Sequence, residues 1–152
     1  KTQGRAKAGS MNAPIPTERQ EQRAILKMIA LSFPKVIYHH SAVTRLVGTP
    51  KQRGMQMGSM KGDGFKPGFP DLLLLWPAGK CAFLEVKRSK GGKVSPEQAK
   101  FHETLVGMGH LVAVVTGTDE AYMTLRRWGA PWNGIDPRLC PVADEYHPEP
   151  RA

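Results

Sequence analysis

The chain has 152 residues, with 22 Lys and Arg against 13 Asp and Glu, a formal charge of +9 and a pI near 9.8, so a polyanionic partner is the first class to consider. Its 40% hydrophobic and 23% charged composition suits one globular domain with a packed core and excludes a collagenous, wholly disordered or disulfide-framework chain. No apolar run reaches the roughly 18 residues of a membrane span and the N-terminus carries no signal-like apolar stretch, so a soluble, cytoplasmic protein is expected. Residues 1–10 are small and polar and end in Gly9-Ser10 before Met11; they resemble an expression-tag remnant and are set aside. Thr17-Glu18-Arg19-Gln20 has the form of a capping box, and Gln22, Ile25, Leu26 and Ile29 share one stripe, which predicts a helix from Glu18 to about Leu31, ended by Pro34. Val36–His39 and Ala42–Val47 read as short strands. Between Arg45 and Gly68 lie six glycines and five basic residues, with Asp63 the one acid, which predicts a mobile basic loop.

The runs Leu72–Trp76 and Cys81–Lys87 around Pro77-Ala78-Gly79 predict a hairpin buried on both faces. Ser95-Pro96-Glu97-Gln98 combines a cap, a proline at the first helical position and a box-closing Gln, predicting a helix from Pro96 to about Met108 that buries Phe101, Leu105 and Met108. Leu111–Thr116 should be a buried strand, and Thr118-Asp119-Glu120 should cap a last helix reaching Trp128 before Gly129 and Pro131. The whole is an α/β fold, a mixed sheet flanked by helices in the order αβββαβα. The working domain is residues 11–129. From Ala130 to residue 152, six Pro and Gly residues without period suit an irregular tail, lying over the domain or disordered. Cys81 and Cys140 lack metal-site spacing and read as free thiols.

The acids of the central hairpin carry the chemistry, because ionised groups in an apolar segment need partners. Glu85 and Lys87 lie two apart and so share a face. A three-residue turn that sets Trp76 opposite Lys80 carries Asp71 directly opposite Glu85. Two carboxylates about 5 Å apart repel unless a cation lies between them, and a hard divalent ion such as Mg²⁺ takes oxygen ligands of this kind. Taken singly, Asp71 reads as a turn residue after proline, and Glu85 and Lys87 as a solvated strand face. Converging in an apolar hairpin, they read as a site.

Gly68-Phe69-Pro70-Asp71, thirteen intervening residues and Glu85-Val86-Lys87 resemble the motif of the PD-(D/E)XK nuclease superfamily, the restriction-endonuclease-like fold. Ser95-Pro96-Glu97-Gln98, Gly109-His110 before a strand, and Glu18-Arg19-Gln20-Glu21-Gln22 upstream resemble its VRR-NUC branch, in the small stand-alone form of phages and bacteria. The likeness spans about Thr17 to Trp128. It implies that Asp71, Glu85 and the Val86 carbonyl ligate Mg²⁺ or Mn²⁺, that Lys87 positions or activates the attacking water, and that Glu18 reaches the metal from the first helix, often through water. Gln98 would anchor Lys87 or the phosphate, although its capping box alone accounts for it. Glu21, one turn on from Glu18, competes for the role of helix acid, and either suits a first helical turn without any function.

The implied activity is water-mediated hydrolysis of DNA phosphodiesters without a covalent intermediate, by a homodimeric Holliday junction resolvase or by a flap or general nuclease. A basic module that binds nucleic acid without cleaving it is the rival reading. Arg45, Lys51, Arg53, Lys61 and Lys66 in the long loop, and Arg88, Lys90 and Lys93 in the turn after Lys87, are the expected phosphate contacts. His39 and His40 point to opposite faces of a strand end and cannot both enter one site. Met55, Met57 and Met60 suggest a partner surface. Residues 1–10 carry +3 and the tail −2, which leaves +8 on residues 11–129; the basic character belongs to the domain.

Overall fold

Pro77-Ala78-Gly79 forms an exposed turn, with Ala78 and Gly79 both at φ 67°, the positive φ pair that tight hairpins demand. The computed structural model describes residues 15–41 and 46–139. Leu72–Trp76 (β2) and Lys80–Val86 (β3) pair antiparallel with Trp76 opposite Lys80 and Leu72 opposite Leu84, the register expected from the turn. Ile37–His40 (β1) lies antiparallel on β2, and Leu111–Val115 (β4) lies parallel on β3. The result is a four-stranded mixed sheet ordered β1-β2-β3-β4. Parallel pairing needs a crossover, and Pro96–Gly107 (α3) provides it.

Strand alternation sorts the side chains. Leu72, Leu74, Trp76, Ala82, Leu84, Val86 and Val115 join Ile25, Met28 and Ile29 of Glu18–Ser32 (α1) and Ala121, Tyr122 and Leu125 of Thr118–Arg127 (α4) in one core. Phe83, Glu85 and Lys87 turn to the other face, where α3 lies. There Phe69 packs edge-on between Phe83 and Phe101, with ring centroids 5.6 and 5.3 Å apart. The Thr17–Gln20 and Ser95–Gln98 capping boxes both form.

The expected basic loop instead holds a helix, Pro50–Gly62 (α2), opened by a third capping box between Thr49 and Gln52 with Pro50 in its first turn. Local start signals prevail there over the glycines at 54, 58 and 62. No residue of α2 is buried. Of the expected strand at 42–47, residues 42–45 lie outside the described residues, and Leu46 and Val47 are not in a strand. The order is therefore αβαββαβα.

Burial also departs from expectation at the sheet margins. Among the described residues β4 has only β3 as a neighbour, and of its five residues only Val115 is buried; β2 leaves Leu75 exposed; and Met108, past the end of α3, is 68% exposed. Gly117, with no side-chain cap, precedes α4. Glu120 accepts hydrogen bonds from the Thr116 N–H and hydroxyl at 2.8 and 2.9 Å. After α4 the described tail is irregular but attached: the Asn133 N–H and side-chain amide donate to the Ser32 and Leu31 carbonyls at 3.1 and 2.7 Å, groups that the end of α1 leaves open. No described helix is long and apolar enough to cross a membrane.

Candidate active site

Gly68, at φ +81°, brings the start of β2 against α3. A Cβ there would stand 2.6 Å from the Glu97 carbonyl oxygen and 2.9 Å from the Gln98 nitrogen, so only glycine allows this approach. Asp71 follows, half-buried, and its Oδ2 accepts the Val86 N–H at 2.8 Å. By continuation of the register Pro70 stands opposite Val86 and has no N–H for its carbonyl. In an extended strand that carbonyl points to the same side as the N–H, toward Asp71.

The Glu85 side chain is fully buried. Its Oε1 accepts from Lys87 Nζ at 2.5 Å and from the Gln98 side-chain amide. Gln98 is aimed by its capping box: its Oε1 accepts the Ser95 N–H at 2.9 Å, which turns its NH₂ toward Glu85. Capping and site function, alternatives in the sequence, are thus carried by the two ends of one amide. Among the described residues Oε2 of Glu85 has no hydrogen-bond partner, and neither has the buried Nε2 of His102, 3.6 Å away.

Burial raises the Glu85 pKa to about 7, with Asp71 and Glu18 adding to the rise and Lys87 opposing it. For Lys87, burial works to lower the pKa, but the hydrogen bond from Lys87 to Glu85 and the charges of Glu85, Glu18 and Asp71 outweigh it and hold the ammonium above its ordinary value. Burial and the Lys87 charge hold His102 below its usual range, with Asp71 opposing. Glu18 is exposed, yet its charge acts on both Glu85 and Lys87. Glu21 sits elsewhere, its Oε2 3.6 Å from where a Gly117 Cβ would stand.

The structure therefore brings Asp71, Glu85, Lys87 and Gln98 together, with Glu18 in electrostatic reach. His102 was not singled out from the sequence; its spacing of four from Gln98, which stacks the two on one helix face, is the signal that would have found it. Arg88, Lys90 and Lys93 are exposed in the turn directly after Lys87. Lys51, Arg53 and Lys61 are exposed on α2, Lys66 is exposed in the segment after it, and Arg45 lies outside the described residues. His39 and His40 are exposed on β1. Cys81 is a half-buried free thiol; Cys140 lies outside the described residues.

Among the described residues no three His, Cys, Asp or Glu side chains form a ready-made metal cluster. The donors at the site nonetheless fit a hard cation: Asp71 and Glu85 offer carboxylate oxygens, the Val86 carbonyl is turned to the same side, and the buried Oε2 of Glu85 lacks a donor.

The VRR-NUC domain family model matches residues 6–119. Two solved structures share the fold. One, described as a VRR_NUC domain, has a TM-score of 0.51 at 22% identity, covering 74% of this chain and 99% of its own. The other, a VRR_NUC domain protein, has a TM-score of 0.55 at 20% identity, covering 76% of this chain and 90% of its own. No curated protein matches the chain.

Proposed function

Because the chain belongs to the VRR-NUC domain family, a nuclease-type domain of the PD-(D/E)XK superfamily, we propose that it is a divalent-metal-dependent, structure-selective DNA endonuclease, acting on four-way junctions as a homodimer. The convergence of Asp71, Glu85, Lys87 and Gln98 at one end of the sheet supports this reading. Asp71, Glu85 and the Val86 carbonyl would hold Mg²⁺ or Mn²⁺, with Glu18 contributing through water. The bound ion would supply Lewis-acid stabilisation of charge gathering on the phosphate.

The chain's own residues account for the rest. Glu85 favours the ammonium form of Lys87, which as a donor would orient water and offset phosphate charge. Gln98 holds Glu85 in place from the capped end of α3. Arg88, Lys90 and Lys93 sit beside this notch for the scissile strand, while Lys51, Arg53, Lys61 and Lys66 extend the phosphate contacts along and beyond α2. Two such sites related by a two-fold axis would nick both strands of a junction in pairs.

The test is a cleavage panel of four-way junction, flap and plain duplex DNA with Mg²⁺, Mn²⁺ or EDTA. Junction cleavage that EDTA abolishes, and that Asp71→Ala and Lys87→Ala lose, is the expected result. Preference for flaps or duplex would replace the resolvase role with that of a flap or general nuclease. Binding without cleavage in either metal would replace the enzyme with a basic binding module.

A further inference from the structure

Resting on the cation site just proposed, we propose that His102 is a positioning residue for Glu85: its Nε2–H is the donor for Oε2 and leaves that oxygen's second lone pair for the cation. A carboxylate oxygen offers two lone pairs, and those of Oε1 are taken by Lys87 and Gln98. Oε2 is consequently the Glu85 oxygen left for a ligand. It is buried and, among the described residues, without a donor, and the other orphaned buried atom of the site, His102 Nε2, lies 3.6 Å away. That gap exceeds a normal N–H···O bond by roughly 0.6 Å, a distance a small side-chain rotation closes.

Chemistry selects the tautomer. A lone pair on Nε2 would face the lone pairs of a carboxylate, whereas an N–H pointing the same way relieves both orphaned atoms. The terminal torsion of a glutamate is soft, so bonds to Oε1 alone leave Oε2 free to swing; a second donor removes that freedom. His102 is suited to it by location. It stands one turn beyond Gln98 on α3, next to Phe101, whose ring packs on Phe69 at 5.3 Å. One helix thus presents both donors to the two oxygens of one carboxylate. Donors behind a ligating carboxylate typically change metal affinity by about 10–100-fold when removed.

Mn²⁺ affinity of the full chain, measured calorimetrically, tests this without relying on cleavage. His102→Ala, and His102→Phe, which keeps ring volume without a donor, should weaken Mn²⁺ binding about 10–100-fold. His102→Gln, whose amide nitrogen reaches about as far as Nε2, should stay within about threefold of wild type. Thermal melts in EDTA show which variants fold, and at least the Phe and Gln variants are expected to. Unchanged affinity in His102→Phe, or affinity in His102→Gln as weak as in His102→Phe, overturns the proposal while leaving the cation site standing. If wild type binds no Mn²⁺, or Glu85→Gln binds as wild type does, the cation site itself fails and this role with it.

Discussion

Glu85 is a fully buried carboxylate, and the consequence can be measured on folding alone. Burial raises its pKa from 4.5 to about 7. Between those values the folded chain keeps a proton that the unfolded chain has lost, so stability falls as pH rises. The contribution of Glu85 is fully present below about pH 4.5 and is lost as the pH climbs through 7. At 1.36 kcal/mol per pKa unit, the loss is about 3 kcal/mol. Glu85→Gln keeps the shape and cannot titrate. In wild type the counter-charge for Lys87 appears only as Glu85 ionises, and its effect is already contained in the value of about 7. Urea unfolding of wild type and variant from pH 4 to 8, in EDTA, isolates the contribution of Glu85. The difference should move by about 3 kcal/mol in the variant's favour between pH 4.5 and 7.5, or about 1–3 M in urea midpoint at ordinary m-values, and level off above. A difference that stays flat across this range would refute the burial of an ionisable Glu85 as the dominant feature of the site.

Three other perturbations separate parts of the molecule. Ser95→Ala and Gln98→Ala both break the α3 capping box and should each cost about 1 kcal/mol of stability, but only Gln98→Ala removes a donor from Glu85 and should lower cleavage at least about tenfold; equal cleavage rates would reduce Gln98 to a cap. Gly68→Ala would force a Cβ against the Glu97 carbonyl at positive φ, costing about 2–4 kcal/mol in urea unfolding and separating Asp71 from Gln98; wild-type stability would show that this approach is not tight. Neutralising Lys51, Arg53 and Lys61 together should reduce the slope of log binding constant against log salt by up to about 2.7 on duplex DNA, and an unchanged slope would remove α2 from the DNA surface.

Much of the site was legible because its geometry is local. A three-residue turn and the period of two place Asp71 opposite Glu85 and put Lys87 on the same face, and the first two capping boxes need only residues three apart. The third, Thr49 and Gln52, is an equal signal that the glycines of α2 obscured, since helix propensity weighs composition over a window whereas capping acts at one end.

What the sequence by itself determined is therefore the hairpin, its register, the helix starts and a basic domain carrying a few convergent acids, all features set by neighbours along the chain. Tertiary structure alone decided that β4 is an edge among the described strands and mostly unburied, that Glu18 exerts its charge on Glu85 and Lys87 while Glu21 lies beside Gly117, and that His102 stands beside the free oxygen of Glu85. Each depends on how the α3 crossover and α1 dock on opposite faces of the sheet, and docking is settled by side chains far apart in the chain, which no local period encodes.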